Sequence, residues 1–143
     1  MKLEAIMLLA IAGVLLSAYL TWDHYQMNGN ACGIGVCGQI NRGPYSEIYG
    51  VPVALVGVVG YASIALTAGA AHKLRRNGRR AERILRGLLL LLAVVGFAFT
   101  LYLVYLQLFV IMALCALCML SALDIAAIFV LSTAFYLERR RRS

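Results

Sequence analysis

The chain has 143 residues, of which 63% are hydrophobic and only 13% are charged. A soluble domain is typically about 45–50% apolar and about 25% charged, so this composition excludes an ordinary soluble protein and indicates a membrane protein. The length suits one compact bundle without a second domain. The formal net charge of +7 does not indicate nucleic-acid binding, because the arginines cluster beside hydrophobic segments, where they act as topology signals.

Four hydrophobic segments are predicted to span the membrane, since a spanning helix needs about 20 apolar residues. The last two segments share one apolar stretch, residues 84–137, which would be about 80 Å long as a single helix. A hydrocarbon core is only about 30 Å thick, so this stretch must turn back once, and we place the turn near residues 108–113. The predicted spans cover residues 3–22, 51–71, 84–107 and 113–136.

The basic residues predict the orientation of these spans. Loops rich in Lys and Arg stay in the cytoplasm. The loop of residues 73–86 and the tail Arg139–Arg142 are both strongly basic, and they lie two spans apart. We therefore expect an all-α bundle of four transmembrane helices with both termini cytoplasmic. An extracytoplasmic loop of residues 23–50, which contains cysteines, is expected on the outer side of the cell inner membrane.

All four cysteines fall on the outer side in this topology. Cys32 and Cys37 lie in the first outer loop, whereas Cys115 and Cys118 lie at the outer end of the fourth span. The exterior is the compartment where disulfides form and persist. Four cysteines allow three pairings. Their grouping in the sequence favours Cys32 with Cys37 and Cys115 with Cys118, and a redox relay would also pass through a crossed pair.

The two pairs differ in their expected chemistry. Residues at i and i+3 share a helix face, so the thiols of Cys115 and Cys118 can meet, and a helix N-terminus favours a thiolate over a thiol. The loop pair, in CGIGVC, closes a short ring that contains Gly33 and Gly35. Such a ring adds little stability, because the stabilisation by a disulfide grows with loop length. The first pattern is typical of a redox-active pair and the second of a shuttle.

Two alternatives to redox chemistry use the same residues. Two structural disulfides would clamp the outer face of the bundle. Four thiolates would form a zinc site, since structural zinc sites use pairs of cysteines separated by two to four residues. The redox interpretation is preferred, because the second pair is embedded in an apolar helix and the exterior favours oxidation.

Several motifs together resemble the bacterial members of the vitamin K epoxide reductase family. The resemblance covers residues 32–128. The matching features are the loop pair in CGIGVC, Gly50-Val51-Pro52 at the start of a span, Gly57 and Tyr61 along it, and Leu114-Cys115-x-x-Cys118-Met119 followed by Ser121-Ala122. Members of this family are four-helix bundles around a quinone. The bacterial members reoxidise a thioredoxin-fold partner that introduces disulfides into exported proteins.

The resemblance implies a role for each cysteine. Cys32 meets the partner, Cys37 attacks Cys115, and Cys118 is released as the thiolate that faces the quinone. The acceptor is expected to be ubiquinone, menaquinone or another membrane quinone. The fused thioredoxin-like domain that some bacterial members carry is not expected here, so the partner would be a separate DsbA-like protein. The resemblance implies no metal and no nucleic acid.

Quinone contacts are also expected from the resemblance. The animal enzymes hydrogen-bond the quinone through an Asn and a Tyr, and the corresponding positions here hold Val53 and Ala122. These apolar residues favour quinone reduction over epoxide reduction. The expected quinone-binding residues are Tyr61, Val53, Tyr102 and Ala122, and the wider pocket is expected to include Phe97, Tyr105 and Gln107. The alternatives are a vitamin K epoxide or quinone reductase that uses external thiols, and a non-enzymatic scaffold with structural disulfides.

Asp124 lies near the middle of the fourth predicted span. An ionisable residue there is costly and often functional. It follows Cys115 by nine residues, which places the two on different faces of a helix. We therefore expect a protonated or hydrogen-bonded aspartate within the bundle, although a proton route to the quinone stays open.

Overall fold

The computed structural model describes residues 1–26, 43–76 and 78–142. Within these ranges the chain forms four long helices: α1 (Lys2–Tyr25), α2 (Val53–Leu74), α3 (Arg79–Tyr105) and α4 (Ala116–Arg142). Each is long and apolar enough to cross a membrane, with α3 counted through its continuation to Ile111. The predicted class, an all-α membrane protein with four transmembrane helices, is confirmed.

The helices form a closed ring in which each packs against two others. The contacts run from α1 to α2, from α2 to α3, from α3 to α4, and from α4 back to α1. The two chain ends lie at the same end of the bundle, where the Lys2 ammonium group is 2.5 Å from the Glu138 carboxylate. This end also carries the arginines of α3 and α4, and we call it the arginine end. The opposite end holds Cys115 and Cys118, and we call it the cysteine end.

The close-packed core lies towards the arginine end. Ile6, Leu89 and Ile128 are among its fully buried side chains. Alanines fill positions between the larger residues, for example Ala68 and Ala93, neither of which is exposed. Small residues let helix backbones approach closely, which matters in a membrane because the lipid tails are as apolar as the core. This packing also holds the helices in position relative to one another at the cysteine end.

The connection between α3 and α4 departs from the predicted turn at residues 108–113. The helix continues as a π-helix over Leu106–Ile111, and Met112 then adopts a left-handed conformation with φ of 53°. The amides of Met112 and Ala113 both donate to the Gln107 carbonyl, the second at 3.1 Å. The reversal therefore occupies residues 112–115. A π-helix with a left-handed residue reverses the chain here without Gly or Pro.

A short hairpin joins the described part of the first loop to α2. Strand β1 (Glu47–Ile48) pairs antiparallel with β2 (Val51–Pro52). Tyr49 and Gly50 form the connection with φ of 52° and 81°, which is the two-residue turn that matches the twist of a hairpin. Pro52 directly precedes α2, so its missing N–H costs the helix nothing.

Candidate functional site

Cys115 and Cys118 lie at the start of α4. The Cys115 carbonyl accepts a hydrogen bond of 3.0 Å from the Met119 amide, so Cys115 directly precedes the helix and Cys118 lies in its first turn. Cys115 is 1% exposed, and Cys118 is partly buried. Unpaired N–H groups and the helix dipole concentrate positive potential at this point. The arrangement favours a thiolate at Cys118, which lies in the first turn of the helix.

A cavity of about 140 Å³ lies beside Cys118 between the four helices. Cys118 and Ser121 border it from α4, Val53 and Tyr61 border it from α2, and Gln107 borders it from the π-helix. The remaining walls are mostly aliphatic or aromatic. An apolar protein cavity of about 150 Å³ binds benzene, so this space suits one six-membered ring.

The segment that leads into the hairpin covers part of the cavity at the cysteine end. Ser46 borders the cavity and is held by three hydrogen bonds: its hydroxyl and its amide donate to the Gly43 carbonyl at 2.7 and 2.9 Å, and its carbonyl accepts from the Val53 amide at 2.8 Å. His24 Nε2 lies 3.1 Å from Glu47 Oε1, which ties the hairpin to the end of α1. These contacts hold the covering segment in place without any contribution from a ligand.

Tyr61 and Ser121 form a polar cluster at the cavity wall. The Tyr61 hydroxyl donates to the Ser121 carbonyl at 2.9 Å and lies 3.0 Å from the Ser121 hydroxyl. The Asp124 carboxyl group interacts with the same Tyr61 hydroxyl. The Tyr61 ring packs directly on Gly13 of α1, where any Cβ atom would overlap it. A glycine at this position therefore lets Tyr61 lie flat against α1 and reach α4.

Gln107 gives the cavity a further polar group. Its residue is 5% exposed, and its side-chain oxygen Oε1 has no hydrogen-bond partner among the described residues. A buried polar atom without a partner is costly, so a native structure usually provides one. The amide can accept from a ligand hydroxyl or donate to a ligand carbonyl. The cavity thus offers a ring-sized apolar space with a hydroxyl pair and an amide, which fits a quinone head group.

The structure brings together some of the predicted pocket residues and separates others. Tyr61, Val53 and Gln107 border the cavity, but Tyr102 and Tyr105 do not: each is 55% exposed, on the outer face of α3. Successive residues of a helix are rotated by 100°, so the side chains of Tyr102 and Tyr105 face outwards whereas other residues of α3 face the cavity.

Phe97 and Ala122 also lie away from the cavity. The Phe97 ring stacks on Phe129 with the ring centroids 4.9 Å apart, below the cavity in the core. Ala122 is partly buried and does not border the cavity. Neither residue borders this cavity, and their contact with a quinone stays a prediction. Cys32 and Cys37 lie outside the described residues.

Several residues that border the cavity were absent from the prediction, and three of them carry hydroxyl groups. Ser17 of α1, Thr100 of α3 and Tyr45 before the hairpin all border the cavity. Ser17 also faces Gly57, where a Cβ would come within 2.9 Å of its hydroxyl oxygen. Ser17 and Thr100 could have been predicted, because each places a hydroxyl group inside an otherwise apolar span. Such residues face other helices more often than they face lipid.

A model of the vitamin K epoxide reductase family matches residues 4–133, which includes α2, α3, most of α1 and α4, and both cysteine pairs. The chain belongs to the vitamin K epoxide reductase family. No curated protein matches the chain. Membership of this family implies a membrane oxidoreductase that acts on thiols and disulfides. Proteins of the vitamin K epoxide reductase family use quinone-type substrates or cofactors and act with thioredoxin-like partners.

Proposed function

We propose that this chain is a quinone-dependent thiol oxidase of the cytoplasmic membrane. It takes electrons from a separate DsbA-like, thioredoxin-fold partner on the outer side and passes them through two cysteine pairs to ubiquinone or menaquinone. The observation that carries the proposal is the position of Cys118 on the wall of a ring-sized apolar cavity. A thiol pair that served only as a structural clamp would have no need of such a space.

The relay consists of thiol–disulfide exchanges, each of which passes through a mixed disulfide. Cys32 exchanges with the partner, and Cys37 then attacks Cys115. Cys118 leaves as the thiolate, and its position in the first turn of α4 stabilises that negative charge. The leaving sulfur is the one that borders the cavity, so electrons arrive where the acceptor would bind. The order of the exchanges follows the pattern of the family.

A bound quinone would supply the oxidising power by accepting two electrons and two protons. The chain would hold the head group rather than perform the redox chemistry itself. Gln107 offers an amide on the cavity that can donate to a carbonyl oxygen, and the Tyr61 hydroxyl could do so after releasing the Ser121 carbonyl. The aliphatic walls would contact the apolar part of the head group. Val53 adds an apolar contact and no hydrogen bond, which supports quinone over epoxide as the acceptor.

The proposal is tested with the purified protein in lipid nanodiscs. Dithiothreitol is the electron donor, a short-chain ubiquinone is the acceptor, and the absorbance of the quinone is followed. We expect Cys115→Ala and Cys118→Ala to abolish quinone reduction. Leu120→Ala is the matched control, because Leu120 is 52% exposed on the outer face of the same helix. Full activity in Cys118→Ala would overturn the proposal, and reduction of an epoxide at a comparable rate would replace the proposed acceptor.

The loop pair and the partner require a second experiment. Cys32→Ala is expected to retain quinone reduction by dithiothreitol and to lose transfer from a reduced thioredoxin-fold protein. Cys37→Ala should leave Cys32 in a mixed disulfide that can be trapped in cells and identified by mass. A cytoplasmic protein as the trapped species, or labelling of Cys32 from the cytoplasmic side, would contradict the proposed orientation.

A further inference from the structure

Asp124 is the only Asp, Glu, Lys or Arg between Gly87 and Leu137. It follows Ser121 by three residues, as Ser121 follows Cys118, so the three lie along one row of α4. The position of Asp124 on the helix is compared with that of Cys118, because Cys115 precedes α4. An ionisable side chain inside a membrane span is rare and usually marks function or a specific partner.

The surroundings of Asp124 offer little to stabilise a carboxylate, which favours the neutral carboxylic acid. One oxygen, Oδ2, is buried and has no hydrogen-bond partner among the described residues. Its side-chain neighbour is Tyr61, whose hydroxyl is already engaged with Ser121. A buried carboxylate requires a cation or several donors, and a neutral acid requires fewer.

No charged group from the other helices faces this position. By sequence, α1 has no charged residue or His between Ala5 and Trp22, and α2 has none between Val53 and Ala71. The same holds for α3 and its π-helical continuation from Gly87 to Ile111. The neighbouring elements contribute Gly13, which touches the Tyr61 ring, and Gly96, which lies beside Ile125. Among residues 1–26, 43–76 and 78–142, Tyr61 is therefore the titratable group in contact with Asp124, and Cys118 lies on the same row of α4.

We propose that Asp124 is a positioning residue that stores a proton and delivers it, through the Tyr61 hydroxyl, to the cavity beside Cys118. This inference rests on the proposed quinone-reducing function. Tyr61 and Ser121 border the cavity, whereas Asp124 lies behind them and does not. The Tyr61 hydroxyl, which interacts with both Asp124 and Ser121, therefore connects Asp124 to the cavity.

The proton balance of the reaction explains why a proton held on Asp124 would be used. Oxidation of the Cys115 and Cys118 thiols breaks two S–H bonds, forms one S–S bond, and releases two electrons and two protons. Reduction of a quinone to a quinol consumes the same two electrons and two protons, so no outside acid is required. One proton passes from Tyr61 to an acceptor oxygen, and Asp124 restores it to Tyr61. The proton that Cys118 loses on forming the thiolate returns to Asp124 by way of the Ser121 and Tyr61 hydroxyls, and the proton that Cys115 loses is the second proton of the quinol.

The first test is a direct observation of the proton. Infrared spectra of the protein in nanodiscs, recorded in H2O and D2O, should show the C=O band of a protonated carboxylic acid that is absent from Asp124→Asn. Glu82→Gln is the matched control, because Glu82 is also a buried carboxyl residue, 8% exposed, but lies at the arginine end beside Arg139. The band should persist in this control. Its absence from the unsubstituted protein would overturn the inference, whatever the activity of the variants.

The second test is the pH profile of quinone reduction with dithiothreitol as donor. The unsubstituted protein should slow as rising pH removes the proton from Asp124. Asp124→Asn should be slower by about 10²-fold, as expected for loss of an acid, and should lack this pH dependence. Asp124→Glu should restore part of the rate and the dependence. Tyr61→Phe should resemble Asp124→Asn while keeping the infrared band.

Two further measurements separate folding and function from the inference. The rate of Cys118 alkylation by a maleimide should be unchanged in Asp124→Asn, which shows that α4 is correctly placed. If Cys118→Ala is inactive and Asp124→Asn has the rate and pH profile of the unsubstituted protein, this inference fails and the proposed function stands. If Cys118→Ala is active, the proposed function fails first. Should Asp124→Asn not fold, the infrared band and Tyr61→Phe still decide the question.

Discussion

The two ends of the bundle are built differently. At the arginine end, Glu138 pairs with Lys2 and with Arg142 at 3.3 Å, and the Arg86 guanidinium lies 6.0 Å above the Phe135 ring. At the cysteine end lie the cavity, the π-helix and, among the described residues, every positive φ angle: Tyr49, Gly50 and Met112. Regular packing thus holds the helices at one end, and irregular backbone shapes the other.

The residues that stabilise the fold therefore lie mainly towards the arginine end, and the residues of the candidate site lie at the cysteine end. Positive φ at a residue other than glycine costs free energy and persists only where surrounding structure enforces it. The core around Ile6, Leu89 and Ile128 can enforce it from a distance, because the helices are rigid rods. Substitutions at the arginine end should therefore lower stability more than activity. Substitutions around the cavity should lower activity more than stability.

The largest expected effect on stability is at the arginine end. Ile128 is completely buried, and Ile128→Ala would leave a void that the neighbouring helices cannot fill. We expect a loss of about 2–5 kcal/mol in the free energy of unfolding, measured by thermal or detergent denaturation. Quinone reduction well below the new melting temperature should be nearly unchanged. The exposed Val130→Ala on the same helix is the control, since Val130 is 62% exposed. A large loss of activity at low temperature would show that the two ends are not separable.

An intermediate effect is expected at Gly13. A methyl group there overlaps the Tyr61 ring, so Gly13→Ala must displace that ring or separate α1 from α2. Overpacking of this kind costs about 1–3 kcal/mol. The activity should fall more than the stability suggests, because Tyr61 would lose its hydrogen bonds to Ser121.

Gly60→Ala is the control for this substitution. An added Cβ at Gly60 meets nothing within 4 Å, although the residue lies on α2 beside Tyr61. It should raise stability slightly, by up to about 1 kcal/mol, because alanine is the better helix former. Normal quinone reduction in Gly13→Ala would mean that the position of Tyr61 does not matter to the reaction.

The sequence predicted the helices well because length and hydropathy decide them. Four apolar segments of sufficient length leave few alternatives in a membrane. The position of Cys115 and Cys118 at a helix start followed from the same segments and from the basic loops. The orientation relative to the membrane stays a prediction.

The pocket was predicted less well, since apolar periodicity carries little information here. Lipid and protein core are equally apolar, so Tyr61 on the inner face and Tyr102 on the outer face look alike in the sequence. The turn before α4 was also misplaced. Met112 adopts its left-handed conformation because of how α3 and α4 pack together. The sequence around it contains no Gly or Pro that would predict a turn.

The smallest effect is expected in the hairpin. Tyr49 has a φ of 52° and is fully exposed, so its ring contributes nothing to the fold that offsets the backbone strain. Asparagine tolerates this conformation better, and Asn-Gly is the preferred pair for such a turn. Tyr49→Asn should therefore stabilise the pairing of Glu47–Ile48 with Val51–Pro52 by about 1 kcal/mol or less. Slower hydrogen exchange of the hairpin amides would detect it, with Tyr49→Phe as the unchanged control. Faster exchange in Tyr49→Asn would instead mean that the aromatic ring anchors the hairpin at the membrane surface, and the cysteine end would then depend on lipid for part of its structure.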